Sequence, residues 1–151
     1  MADELSPMTL KAIGFVRNEI KQKPPAGYEW VELVSEIVVD RSLTEALDGL
    51  EGFFHIVVLY WMHQVVEKEM PLKIHPMRRQ ELFLVGLFAT RSPNRPNRIG
   101  ETAVRLLEHK GNILRVKGLD ALDGTPVLDI KPYIPERTLL DAKVPPWIIN
   151  Q

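Results

Sequence analysis

Residues 88–100 read FATRSPNRPNRIG, and they concentrate reactive types in a short span: Arg91, Arg95 and Arg98, with Pro93 and Pro96 between them. Each proline fixes its own φ and restricts the residue before it, so the loop is stiff. Asn94 and Asn97 turn the chain or hydrogen-bond its backbone. Arginines in a pre-organised loop suit carboxylates and phosphates, which their planar forks grip in two-pronged fashion. A stiff surface turn with solvated charges would have the same composition. Between Lys73 and Arg98 lie six basic residues, Arg78 and Arg79 among them, against one acid, Glu81. A local patch of this kind can dock phosphates even though the formal net charge of the chain is only -1.

Two other stretches carry candidate chemistry. In LDALDGTPVLDIKPY (119–133), Asp120 and Asp123 stand three apart at a turn. Carboxylates there can accept hydrogen bonds from ribose hydroxyls or an amino group, although a capped turn is the commoner explanation of a lone Asp-Gly. His63-Gln64 ends the apolar run FFHIVVLYWMH (53–63), where the pair can line a pocket or be satisfied by backbone. No His or carboxylate spacing resembles a metal site. The absence of cysteine excludes disulfides, thiolate metal centres and a cysteine nucleophile. Neither a G-x-S-x-G, nor a G-x-G-x-x-G after a first strand, nor a P-loop is present, so nucleotide binding in the Rossmann manner is not expected.

These residues need elements to hold them. A chain of 151 residues, 45% apolar and 26% charged, fits one globular domain over 1–151. TLKAIGFV (9–16) and VELVSEIVVD (31–40) read as strands, separated by a loop broken at Pro24, Pro25 and Gly27. Ser42 and Glu45 have capping-box spacing, so SLTEALDGL is expected to form one short helix closed near Gly49 or Gly52. FFHIVVLYWMH predicts a central strand buried on both faces, with His55 and His63 on one side if it is regular. LFLVGLFA (82–89) predicts a strand delivering the arginine loop. TAVRLLEH and NILRVKGL flank Lys110-Gly111-Asn112, a hairpin signal. VLDIKPYI (127–134) predicts the last strand, after a turn that suits Gly124 to a positive φ. One helix against six or seven strands indicates a mainly β fold, a small barrel or curled sheet. The N-terminus has no secretory pattern and the longest apolar run is about half a membrane span, so a cytoplasmic protein is expected.

Taken together, these stretches resemble the TsaA-like, or YaeB-like, tRNA methyltransferases (the TrmO type). The resemblance runs through IGFV, LEGFFHIVVLYWMHQ, FATRSPNRPNRIG and LDALDGTPVLDIKPYIP, in the family's order. It implies a single antiparallel β-barrel and S-adenosyl-L-methionine as cofactor. It implies methylation of N6 of threonylcarbamoyladenosine at tRNA position 37, and a homodimer with the cofactor pocket close to the subunit interface. Carried over by motif, the cofactor-lining positions are Pro25, Ala26 and Gly27, His63 and Gln64, Arg91, Glu101, and Asp120, Ala121, Leu122 and Asp123. The methylation implied by the resemblance also needs a group to take the N6 proton, for which Asp120, Asp123 and His63 are the candidates, and nothing in the sequence chooses among them. Arg95 and Arg98, with Arg78 and Arg79, are then the residues to meet anionic groups of tRNA, leaving Arg91 to the cofactor. The family usually reads RPNPIG followed by Leu or Met; here Arg98 and Glu101 take those places. The C-terminal domain of the long bacterial members has no counterpart, so the barrel is expected to recognise tRNA without it. A non-catalytic module that binds S-adenosylmethionine or RNA is the other reading.

Overall fold

The computed structural model describes residues 4–65, 70–135 and 139–148. Six strands close into an antiparallel barrel: β1 (Gly14–Arg17), β2 (Val34–Val39), β3 (His55–Trp61), β6 (Ile99–Lys110), β7 (Ile113–Lys117) and β8 (Pro126–Pro132). Around the barrel the order is β1-β2-β7-β6-β3-β8. The remaining two strands, β4 (Lys73–Ile74) and β5 (Val85–Gly86), pair only with each other. The fold is mainly β, with no doubly wound sheet among the described residues.

Alternation builds the core. On β3 Ile56, Val58 and Tyr60 point inward, and they meet Val16, Ile37, Val104, Leu114, Val116 and Val127 from the other walls. Each aliphatic side chain fully withdrawn from water in this way stabilises by roughly 1.5–3 kcal/mol. The expectation that β3 is buried on both faces is corrected here. Its alternate residues are exposed or half-buried because they form the outside of a barrel wall. The strand also ends at Trp61, so His55 and His63 do not share one regular strand.

Two other expectations are revised. Residues 41–47 form a 3-10 helix, and its N-cap is Asp40 rather than Ser42. The Asp40 carboxylate accepts from the Ser42 amide at 2.9 Å and the Ser42 hydroxyl at 2.7 Å, which starts the turn earlier than the capping-box spacing suggests. LFLVGLFA is not one strand, since only Val85 and Gly86 pair and Leu87–Ala89 turn in 3-10 form. The Leu87 amide donates to the Leu72 carbonyl, and the amide and hydroxyl of Thr90 both donate back to the Leu87 carbonyl. The chain is pulled around buried Leu87, leaving Phe83, Leu84 and Phe88 exposed.

The β6–β7 hairpin turns at Gly111, whose φ is 60°. Between Leu59 and Tyr60 the β3–β8 register shifts, so Leu59 opposes Asp129 while Tyr60 opposes Val127. Such bulges re-aim side chains at barrel rims, and this one lies at the end of β3 where the long loops converge.

Candidate active site

One end of the barrel opens into a cleft of about 1380 Å³. Its floor comes from the turn before β8. Leu119 and Ala121 are buried in the core, and Asp120, Ala121 and Leu122 line the cleft. The turn is fastened from two sides. Asn18 donates through Nδ2 to the Ala121 carbonyl and to Ser35 Oγ, both at 2.9 Å. The Thr125 hydroxyl donates to the Leu122 carbonyl at 2.6 Å, and Gly124, with φ of 81°, donates its amide to the Val16 carbonyl.

Tyr60 ties this turn to the barrel wall. Its hydroxyl donates to the Asp120 carbonyl at 2.8 Å and shares a hydrogen bond of 2.9 Å with Thr102 Oγ1. Burial pushes the phenol up from its ordinary value, with the Thr102 bond opposing that shift. Directly opposite Tyr60 on β6 is Gly100, where a Cβ would overlap the Cε2 and Cζ atoms of the ring.

Asp120 keeps an exposed edge, yet partial desolvation by the surrounding residues raises its carboxyl above the ordinary aspartate value. Asp123 behaves in the opposite way. Its carboxylate accepts from Lys21 Nζ at 2.6 Å and from the Asn18 amide at 2.9 Å, and these two bonds lower its pKa. Asp123 is absent from the cleft wall, so its carboxylate serves the loop after β1.

The arginine loop supplies another wall. Arg91 lines the cleft and donates through Nη2 to the Glu101 carbonyl at 3.0 Å. Glu101 meets that loop by its backbone, while its side chain is on the outer barrel face and not in the cleft. Arg95 donates through Nη1 to the carbonyls of Thr90 and Ser92, each at 3.0 Å, and lies over the Phe88 ring. Arg98 Nη1 donates to the Val65 carbonyl at 2.9 Å. Arg95 and Arg98 thus brace the loop and the chain after β3, while Arg91 faces the cleft. Arg79 pairs with Glu81 at 2.6 Å; the side chain of Arg78 lies outside those described.

Pro25, Ala26, Gly27, His63, Gln64, Arg91, Asp120, Ala121 and Leu122 all line this single cleft, although they come from four separate stretches. Gln64 also donates to the Lys21 carbonyl at 3.2 Å. Tyr60, Trp30, Trp147 and the β4–β5 segment line it too, and sequence reasoning did not single them out. The only trace of Tyr60 was an aromatic at the end of an apolar strand. Among the described residues there is no group of three or more His, Cys, Asp or Glu able to hold a metal. No helix among them is long and apolar enough to cross a membrane.

A small closed antiparallel barrel with a polar-and-apolar cleft at one end, walled by a stiff arginine loop and an Asp-containing turn, is a distinctive arrangement. A family model described as the tRNA-methyltransferase O N-terminal domain matches residues 17–138. A probable S-adenosyl-L-methionine-binding protein of Methanothermobacter thermautotrophicus is 45% identical over 126 residues, covering 82% of this chain and 88% of that protein. The tRNA (adenine(37)-N6)-methyltransferase of Escherichia coli K12 is 36% identical over 140 residues, 87% of this chain and 60% of the relative. The crystal structure of TrmO from Pseudomonas aeruginosa superposes with a TM-score of 0.73 at 33% identity, over 93% of this chain and 62% of that one. The chain belongs to the family of the tRNA-methyltransferase O N-terminal domain, and it spans about three fifths of the solved TrmO chain.

Proposed function

We propose that this chain is an S-adenosylmethionine-dependent tRNA methyltransferase acting on N6 of the adenosine at position 37, with threonylcarbamoyladenosine as the acceptor. The observation that carries this reading is the meeting of Arg91, His63 and Asp120 with the Pro25–Gly27 loop around one cleft. A cofactor with an adenine, a ribose and a charged amino-acid end needs apolar walls with a few fixed polar groups. Met62, Ala121 and Leu122 offer the first, and Arg91, Gln64 and Asp120 the second, so the residues present fit the group. When bound, the cofactor supplies a methyl group on a positively charged sulfur.

The chain's own residues do the rest. Arg91 keeps donors beyond the one given to Glu101, and these suit the carboxylate of the cofactor's amino-acid end. The N6 of a threonylcarbamoyladenosine belongs to a urea, so its lone pair is a poor nucleophile until its proton is taken. Asp120 is the proposed acceptor of that proton, because a carboxyl with a raised pKa is a stronger base than an ordinary one. Asp123 is a weaker candidate, since its carboxylate is held by Lys21 and the Asn18 amide. His63 lines the same cleft and is the alternative base. Arg79, Arg95 and Arg98 present the cationic surface for tRNA phosphates beside the cleft. A homodimer and a cytoplasmic location belong to the same reading, and light scattering tests the first of these.

The test is transfer of labelled methyl from S-adenosylmethionine to bulk tRNA by purified protein. Label in N6-methylated threonylcarbamoyladenosine supports the reading. Cofactor binding without transfer leaves only a binding module.

A further inference from the structure

The cleft exceeds what its cofactor positions occupy. Small-ligand sites run to about 300–1,000 Å³, and this cleft measures about 1380 Å³. The proposed cofactor residues account for one set of walls. A second set comes from elsewhere: Lys73, His75, Met77 and Gln80 from the segment around β4, and Trp147 with Ile148 near the C-terminus.

The segment bearing Trp147 is unusual. Residues 139–146 are all exposed, and Trp147 and Ile148 are the first half-buried positions after them. The strap thus meets the protein through these two side chains, and both are on the cleft wall. Pro145 and Pro146 stiffen it, and the Ile148 amide closes a turn onto the Pro145 carbonyl at 3.0 Å. A rigid turn presenting one large aromatic to a cleft adds nothing to the barrel core, from which Trp147 is absent. It does provide a flat apolar surface in a cleft that Lys73 and Arg91 also line, the combination by which proteins hold unstacked bases. In the other lining segment His75 Nδ1 is hydrogen-bonded to the Leu82 carbonyl at 2.6 Å, and Met77 has a left-handed backbone with φ of 54°.

We propose that this second part of the cleft seats the acceptor purine, and that Trp147 is the positioning residue that stacks on its ring. Stacking fixes the plane of the base and so the direction of N6. Lys73 provides a cation for an anionic substituent on the base. The inference rests on the methyltransferase reading and adds the acceptor side to it.

The experiment is steady-state methylation of unmethylated bulk tRNA by the wild type, Trp147→Ala and Trp147→Phe, with cofactor affinity of each measured by calorimetry. Trp147→Ala is expected to raise the KM for tRNA about tenfold or more, the usual loss when one base loses an aromatic partner. Its cofactor affinity and unfolding midpoint should match the wild type, and Trp147→Phe should restore most of the tRNA KM. An active wild type with an unchanged tRNA KM in Trp147→Ala overturns the inference alone. So does a loss of cofactor affinity that parallels the loss for tRNA, since Trp147 would then be a cofactor wall. A wild type that methylates no tRNA overturns the methyltransferase reading, and this inference with it.

Discussion

Tyr60 lies across Gly100, its partner on the neighbouring strand, and the space a Cβ would need at Gly100 is filled by the tyrosine ring. From that position the hydroxyl reaches the Asp120 carbonyl. The glycine that ends the arginine-loop motif is thus coupled, through one ring, to the turn that carries the proposed base.

Gly100→Ala should therefore damage both stability and the site. The ring is buried and bonded at its tip, so it cannot swing aside freely. Overpacking of this kind costs about 1–3 kcal/mol, read as a lower midpoint in urea. Because the displaced hydroxyl loses Asp120, cofactor affinity should fall with it. Tyr60→Phe separates the two effects, keeping the ring and removing the bonds at a cost of about 1–3 kcal/mol. A Gly100→Ala variant as stable as the wild type would contradict the packing described.

The proton-acceptor role proposed for Asp120 has a pH signature. Its carboxyl titrates above the ordinary aspartate value of 3.8, and only the ionised form accepts a proton. Turnover should then fall as pH drops through the raised pKa. Asp120→Asn should lower kcat by about 100-fold or more and abolish that acid limb. Cofactor binding measured alongside distinguishes a lost base from a lost ligand contact. If the acid limb survives in Asp120→Asn and disappears in a His63 variant, the base is His63.

Much of this arrangement was legible in the chain. The β6–β7 hairpin followed from Lys110-Gly111-Asn112, and the Asp120 turn from Asp-Gly-Thr-Pro, because those signals are local. Residues from four of the motif stretches line one cleft, without Glu101 or Asp123. The Tyr60–Gly100 contact was not legible, since it depends on a strand register between residues 40 apart in sequence. Nor did composition reveal that Arg95 and Arg98 would donate to carbonyls of Thr90, Ser92 and Val65. A guanidinium in a stiff loop looks alike whether it faces solvent or braces its own backbone. The two-residue β5 was hidden because LFLVGLFA has strand composition throughout, while the bonds to Leu72 and Thr90 that bend it come from outside that run.

The bracing changes what each arginine should do. The resemblance divides the loop into Arg91 for cofactor and Arg95 with Arg98 for RNA. With Arg95 holding the carbonyls on both sides of Arg91, Arg95→Ala should weaken cofactor binding as well as tRNA binding. Arg79→Ala should leave cofactor affinity intact and reduce the salt dependence of tRNA binding by about one phosphate contact. Calorimetry and filter binding over a salt series check both. Intact cofactor affinity in Arg95→Ala would restore the divided loop.

Lys21 and Asp123 should show themselves in acid. The folded pKa of Asp123 is depressed, so the pair stabilises above the unfolded aspartate pKa of about 3.9 and that contribution is lost as pH falls through the lower folded value. Asp123→Asn should therefore be less stable than the wild type at neutral pH, and the two unfolding midpoints should converge below about pH 4. Equal midpoints at neutral pH would mean that the Lys21 bond contributes nothing.

The most direct measurement is single-turnover methyl transfer. Purified protein is loaded with labelled S-adenosylmethionine and mixed with tRNA lacking the methyl group, and the nucleosides are then separated. The expected result is label on N6 of threonylcarbamoyladenosine from position 37, lost in Asp120→Asn. Cofactor that binds with no label reaching any tRNA nucleoside would contradict the methyltransferase reading.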